Sequence, residues 1–131
     1  MPSNERTIHA SVDAVVDRLA TAIAAAGMNV FFTMDHAKAA RAVGLSMPEA
    51  RVLVYGNPRG GTPIMQEHPG AALDLPLRAL VRDAGDGRTI VSFHPIVDVL
   101  QASGVSPEAA SRLVPAQRLL LDTLRAMEEG N

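Results

Sequence analysis

Asp35 and His36 stand side by side where an apolar run ends. A carboxylate beside an imidazole can orient the ring, fix its tautomer and raise its basicity. Neighbours on a strand point to opposite sides, so the same letters also fit a plainer reading: Asp35 capping a helix that starts at Ala37, and His36 partly buried. His94 closes the last apolar run and is the remote partner for His36. With Asp35 and Asp74 the two histidines form a nitrogen and oxygen donor set of the kind divalent metals accept. No compact ligand motif such as HExxH accompanies them, so neither a metal nor another cofactor is expected.

Further on, Gly60, Gly61 and Thr62 precede Pro63, with Arg59 beside them. Thr62 as cap and Pro63 at the first helical position would start a helix whose free amides can receive an anion. The Lys and the spacing of a P-loop are absent, and a tight turn needing two glycines is the preferred account of the pattern. Asn57 before Pro58 reads as a turn lock. Asp74, between Leu73 and Leu75 and followed by Pro76, must be capped, paired or exposed in so apolar a stretch, and Arg78 is its expected partner. Ser11, Ser92 and Thr62 lie outside any nucleophile-elbow pattern, which disfavours a serine hydrolase. Six methionines can fill gaps in a core poor in aromatic residues, or line an adaptable apolar pocket.

The elements that must hold these groups belong to one domain of 131 residues, 47% of them apolar. Without cysteine there is no disulfide, thiolate nucleophile or iron–sulfur cluster. Twelve basic and 14 acidic side chains, three Phe, one Tyr and no Trp give neither a basic footprint nor stacking platforms, so nucleic acid is not expected as a partner. The polar start, Met1 to His9, and the lack of a long apolar run argue against a membrane and for the cytoplasm.

Residues 1–5 are expected to be loose. A first strand is predicted at Arg6–Ala10, and a helix capped by Ser11 runs to Ala26 with Val12, Val15, Val16, Leu19 and Ile23 on one stripe. Strands follow at Met28–Met34 and Arg51–Tyr55, with a short helix, Ala37–Val43, between them. Counting by twos places Val30, Phe32, Met34 and His36 on one face of the second strand. A helical turn or two leads to Glu67. Leu77–Arg82 and Thr89–Phe93 form a hairpin about Asp86 and Gly87. A short helix is predicted over Pro95–Ser103. A last helix from Ser106 to Met127 carries Leu113, Ala116, Leu120 and Leu124 and is kinked at Pro115. The order suits an α+β fold, with helices on one face of a mainly antiparallel sheet of four or five strands.

Three blocks, Gly27–Gly44 (GMNVFFTMDHAKAARAVG), Val54–Met65 (VYGNPRGGTPIM) and Ala72–Arg78 (ALDLPLR), give the chain, over about residues 10–98, a resemblance to domain-of-unknown-function family 302. The resemblance implies a TBP-like fold, a curved antiparallel sheet with two principal helices in β-α-β4-α order. It implies no established activity. The family often ends its last strand with Tyr and a polar residue, where Phe93 and His94 stand here, so a role for that phenol does not carry over.

Three functions compete. The first is a noncatalytic domain binding a small, anionic molecule or serving regulation, with Asp35, His36, Asn57, Thr62, Asp74 and His94 around one site. The second is an enzyme using His36 or His94 as base or metal ligand. The third is a homodimeric interaction module. The first is the leading expectation, and it requires the three blocks to converge on one cleft.

Overall fold

The computed structural model describes residues 4–129. Five strands form one wholly antiparallel sheet in the order β1-β5-β4-β3-β2. The strands are β1 (Asn4–Ile8), β2 (Asn29–Asp35), β3 (Ala50–Gly56), β4 (Leu77–Gly85) and β5 (Arg88–Phe93). Asn4 and Glu5 thus belong to the first strand, while residues 1–3 lie outside the described residues. Asp86 and Gly87 turn β4 into β5 with φ of 55° and 73°, the left-handed pair that the hairpin requires.

The first main helix, α1 (Val12–Ala25), follows from its sequence directly: Ser11 accepts a hydrogen bond from the Ala14 amide, and Val12, Val15, Leu19 and Ile23 are buried. It packs beside α6 (Val114–Glu129), whose Leu120 and Leu124 are buried. These helices cover one face of the sheet, where Leu53, Tyr55, Leu77, Ala79, Val81, Val91 and Phe93 complete the core. Alternate residues on the same strands, Val52, Val54, Leu80, Ile90 and Ser92, are only half-buried and form the opposite face.

Three local expectations change. The last helix is not continuous: α5 (Pro107–Ala110) gives way to a 3-10 turn at Ser111–Leu113 before α6 begins. Pro115 therefore occupies the first turn of α6, where its missing amide removes no helical bond, and the break precedes it. Secondly, α3 spans Pro58–Glu67, starting four residues earlier than Thr62 would have it. Thirdly, β2 carries a bulge: Val30 pairs with Tyr55 and Phe32 with the adjacent Val54, which leaves Phe31 unpaired. Directly opposed residues share a face, so Val30 joins the helix-covered side with Tyr55, while Phe32 and Met34 join the open side with Val54 and Val52. Counting by twos fails across the extra residue.

Candidate functional site

β3 delivers Tyr55 and Gly56 to one end of the sheet, and the chain turns there into α3 through Asn57. The Asn57 carboxamide oxygen accepts from the Arg59 amide at 3.0 Å, and its carbonyl accepts from Gly60 and Gly61 at 2.9 and 3.1 Å. With Pro58 at the first helical position, this cap wins over the later Thr62–Pro63 pair. The amides of Arg59, Gly60 and Gly61 are consequently engaged within the helix start, which fits the turn reading of these glycines rather than the alternative of an anion cradle.

Between this helix, the end of the sheet and the start of α6 lies an open cavity of about 570 Å³. Its walls come from Met28 and Phe31, from Tyr55 to Pro58 with Gly60 to Thr62 and Met65, from Leu75 to Leu77, and from Leu113, Pro115, Ala116 and Leu119. The peptide between Leu75 and Pro76 is cis. Tyr55 is almost wholly buried, and its hydroxyl donates to the Ala116 carbonyl at 3.1 Å, tying β3 to α6 across the floor. Burial holds that phenol well above its ordinary range. Gly60 and Gly61 leave the α3 wall bare: a methyl at Gly61 would rest 3.8 Å from Leu75 Cδ1 and Met65 Cε. Among the described residues no carboxylate lines the cavity, and the one charged side chain there is that of the exposed Arg112.

The six expected site residues fall in three places. Asn57 and the exposed Thr62 line the cavity. Asp74 and His94 border a second depression of about 390 Å³, together with Arg78, Ser92 and Gln117. It adjoins the first through Pro76 and Leu77. There the Asp74 carboxylate accepts from the Ser103 hydroxyl at 2.9 Å, and among the described residues no ion pair joins it to Arg78, the partner expected from sequence. His94 is exposed, and its carbonyl accepts from Gln117 Nε2 while Gln117 Oε1 accepts from the Ile96 amide, both at 2.9 Å.

Asp35 and His36 lie at the other end of the sheet. Asp35 is paired with Arg51 and Asn29 with Gly56. Five residue steps along β3, from Arg51 to Gly56, separate those rows, about 17 Å at the rise of a strand. The expectation that Asp35 and His36 border one site with Asp74 therefore fails. It counted strand ends without direction, and in an antiparallel sheet consecutive strands end on alternate sides. Asp35 accepts from the Lys38 amide at 2.9 Å and caps α2 (His36–Ala42), while His36 is exposed. Around Arg51 stand three carboxylates: Asp13 bonds it directly, Glu49 lies at 3.8 Å and Asp35 at 4.0 Å. The Asp13 hydrogen bond, opposed by desolvation, raises the Arg51 pKa. This cluster joins the α1 start to the sheet and is an electrostatic clasp. Among the described residues, no group of three or more His, Asp or Glu is placed to hold a metal ion.

All three sequence blocks nevertheless meet at the cavity, the first through Met28 and Phe31, the second through Tyr55 to Met65, the third through Leu75 to Leu77. Met28 and Met65 line the cavity as methionines of an adaptable apolar pocket would, whereas Phe31 and Leu75, within the same blocks, carry no ionisable group to single them out. Arg112 lies beyond the blocks and gave no signal.

Fold and cavity together define an α+β domain in β-α-β4-α order, with an apolar cleft where strands 2 to 4 meet the second principal helix. The chain belongs to the family described as Domain of unknown function DUF302, which matches residues 4–126. The crystal structure of an uncharacterised conserved DUF302 protein from Bacillus stearothermophilus superposes with a TM-score of 0.82 over 95% of this chain and 97% of that one, at 15% identity. Two proteins named Fluoride-specific ion channel FluC 1, from Brucella suis biovar 1 and Brucella abortus biovar 1, are each 40% identical over 84 residues, 64% of this chain. The match covers 33% and 31% of those two proteins, so the chain spans about a third of the length of the curated relatives it matches. Among the described residues, no helix is long and apolar enough to cross a membrane.

Proposed function

We propose that this domain is a noncatalytic binding module that takes a small molecule with an apolar body into the cavity between β3, α3 and α6, and that it serves regulation. The observation that carries the reading is the convergence of all three sequence blocks on that cavity. Its size suits a small organic ligand, and its lining is mostly apolar with a few polar groups at the edge, Asn57, Thr62 and Arg112. The longer relatives named as fluoride-specific ion channels support the regulatory half. In them the matched stretch is one part of a larger chain, as a module attached to a working unit would be. The test is titration with the neutral apolar fluorophore N-phenyl-1-naphthylamine. Saturable one-to-one binding by the intact chain, lost in Gly61→Leu with the fold retained, is expected. Absence of saturation, or equal binding by both proteins, overturns the reading.

The open sheet face favours a second reading, a homodimer. Phe32 is 59% exposed there, in company with the half-buried Met34, Val52, Val54, Leu80 and Ile90, on the side that α1 and α6 leave uncovered. Sedimentation at micromolar concentration is expected to give a dimer mass that Phe32→Glu converts to a monomer. A monomer mass for the unaltered chain across the accessible range refutes it.

A further inference from the structure

We infer that the ligand of this cavity is a monoanionic amphiphile, a carboxylate of the fatty-acid kind, held with its apolar body against Met28, Phe31, Met65 and Leu75 and its charged head at Arg112; the inference rests on the cavity reading above. The charge balance of the lining directs the choice. Apart from Arg112 every side chain bordering the cavity is uncharged, and among the described residues no carboxylate lies within ion-pair distance of that guanidinium. Arg51 shows the contrast: three carboxylates surround it at the far end of the sheet. Arg112 sits in the 3-10 turn immediately before α6, next to the buried Leu113, so that its backbone is fixed beside the apolar wall and the exposed residue borders the cavity.

A cation would meet an unopposed like charge at this mouth and find no acceptor carboxylate. A neutral apolar molecule would leave the exposed guanidinium in water and gain no contact from it. A single carboxylate satisfies the guanidinium through a bidentate contact, stronger than a neutral hydrogen bond. Engagement of the α3 amides by Asn57 removes the competing anion site at the same cavity, which leaves Arg112 to hold the head. The six-carbon and longer chains of such acids suit walls made of methionine, leucine and phenylalanine side chains, which adapt to flexible apolar bodies.

The experiment displaces N-phenyl-1-naphthylamine from the intact chain with dodecanoate, dodecanol or dodecyltrimethylammonium, each below its micelle-forming concentration. The readout is the ratio of displacement midpoints within each protein, so that a change in probe affinity cancels. Dodecanoate is expected to act at about tenfold lower concentration than dodecanol, one charge-assisted contact's worth of selectivity. That preference is expected to vanish in Arg112→Gln and to persist in part in Arg112→Lys. Equal displacement by acid and alcohol, a preference for the ammonium compound, or an acid preference that survives Arg112→Gln overturns the inference and leaves the cavity reading intact. Failure of the fluorophore to bind saturably overturns the cavity reading, and the inference with it.

Discussion

Replacing Gly61 separates the stability of this domain from its capacity to bind. Gly61 lies in the first turns of α3, its amide donates to the Asn57 carbonyl at 3.1 Å, and a Cβ there would make ordinary contacts at 3.8 Å with Leu75 Cδ1 and Met65 Cε. Alanine thus enters without strain. Its expected gain is about 0.5 to 1 kcal/mol, from the conformational freedom that glycine alone retains in the unfolded chain. For a chain of this size that is a rise of roughly 2 to 5 °C in the melting midpoint. Gly60 is the internal control: a methyl there meets Leu113 Cδ2 at 3.3 Å, so Leu113 must give way and Gly60→Ala is expected to gain less. Gly61→Leu projects its branched end into the cavity. It should keep the melting midpoint at or above that of the unaltered chain while abolishing saturable fluorophore binding. Thermal melts followed by circular dichroism, run beside fluorescence titrations of the same preparations, give both quantities. A drop in stability for Gly61→Ala, or a Gly61→Leu protein that binds as the unaltered chain does, would refute the assignment of this helix face to the cavity wall.

Tyr55→Phe removes the hydroxyl that bonds the Ala116 carbonyl and is expected to cost about 1 to 2 kcal/mol at neutral pH in a denaturant titration. Because burial raises the folded phenol's pKa, this tyrosine stabilises the fold fully below its unfolded value near 10.0 and progressively less above it, at up to about 1.4 kcal/mol per pH unit. As the chain has one tyrosine, phenolate absorbance reads this titration directly, and Tyr55→Phe should flatten the corresponding part of the alkaline stability profile. Asp35→Ala removes the α2 cap and is expected to lower stability by about 1 kcal/mol in the same denaturant assay while leaving fluorophore binding unchanged, since the cavity lies at the other end of the sheet. Gln117→Leu withdraws both partners of the turn after β5, the Ile96 amide and the His94 carbonyl, and a loss of about 2 to 4 kcal/mol is expected by thermal melting.

Much of the fold was legible because local signals agreed with one another. The α1 stripe, its Ser11 cap, the Asp86–Gly87 turn and the capping role of Asp35 each rest on residues within a few positions of one another. Misreadings arose where two adequate local signals competed or where the answer depended on distant partners. Asn57–Pro58 and Thr62–Pro63 both spell a helix start, and the first prevails through the hydrogen bonds that the side chain and carbonyl of Asn57 accept from the amides of Arg59, Gly60 and Gly61. The site was legible as three blocks, but the choice of ionisable residues within them misled. Asp35 serves a cap and Asp74 a hydroxyl, whereas the cavity is built from Met28, whose type fits a pocket wall as well as a core, and from Phe31 and Leu75, whose types suggest only packing. Arg112 reaches the mouth through the fold of the C-terminal segment, which local pattern does not report.

The unpaired Phe31 also decides how this chain can change in length. Deleting it leaves Val30 opposite Tyr55 and Phe32 opposite Val54, so the ladder closes up and every later residue of β2 keeps its side. Deleting a residue between Phe32 and Asp35 instead shifts the remainder by one step, which carries Asp35 away from Arg51 and turns it to the opposite face. Shortening is tolerated by the sheet at one position in this strand, and that position is the aromatic lip of the cavity. A one-residue deletion can therefore erase the lip and spare the scaffold, so descendants of this sequence can reshape the cavity while keeping the fold.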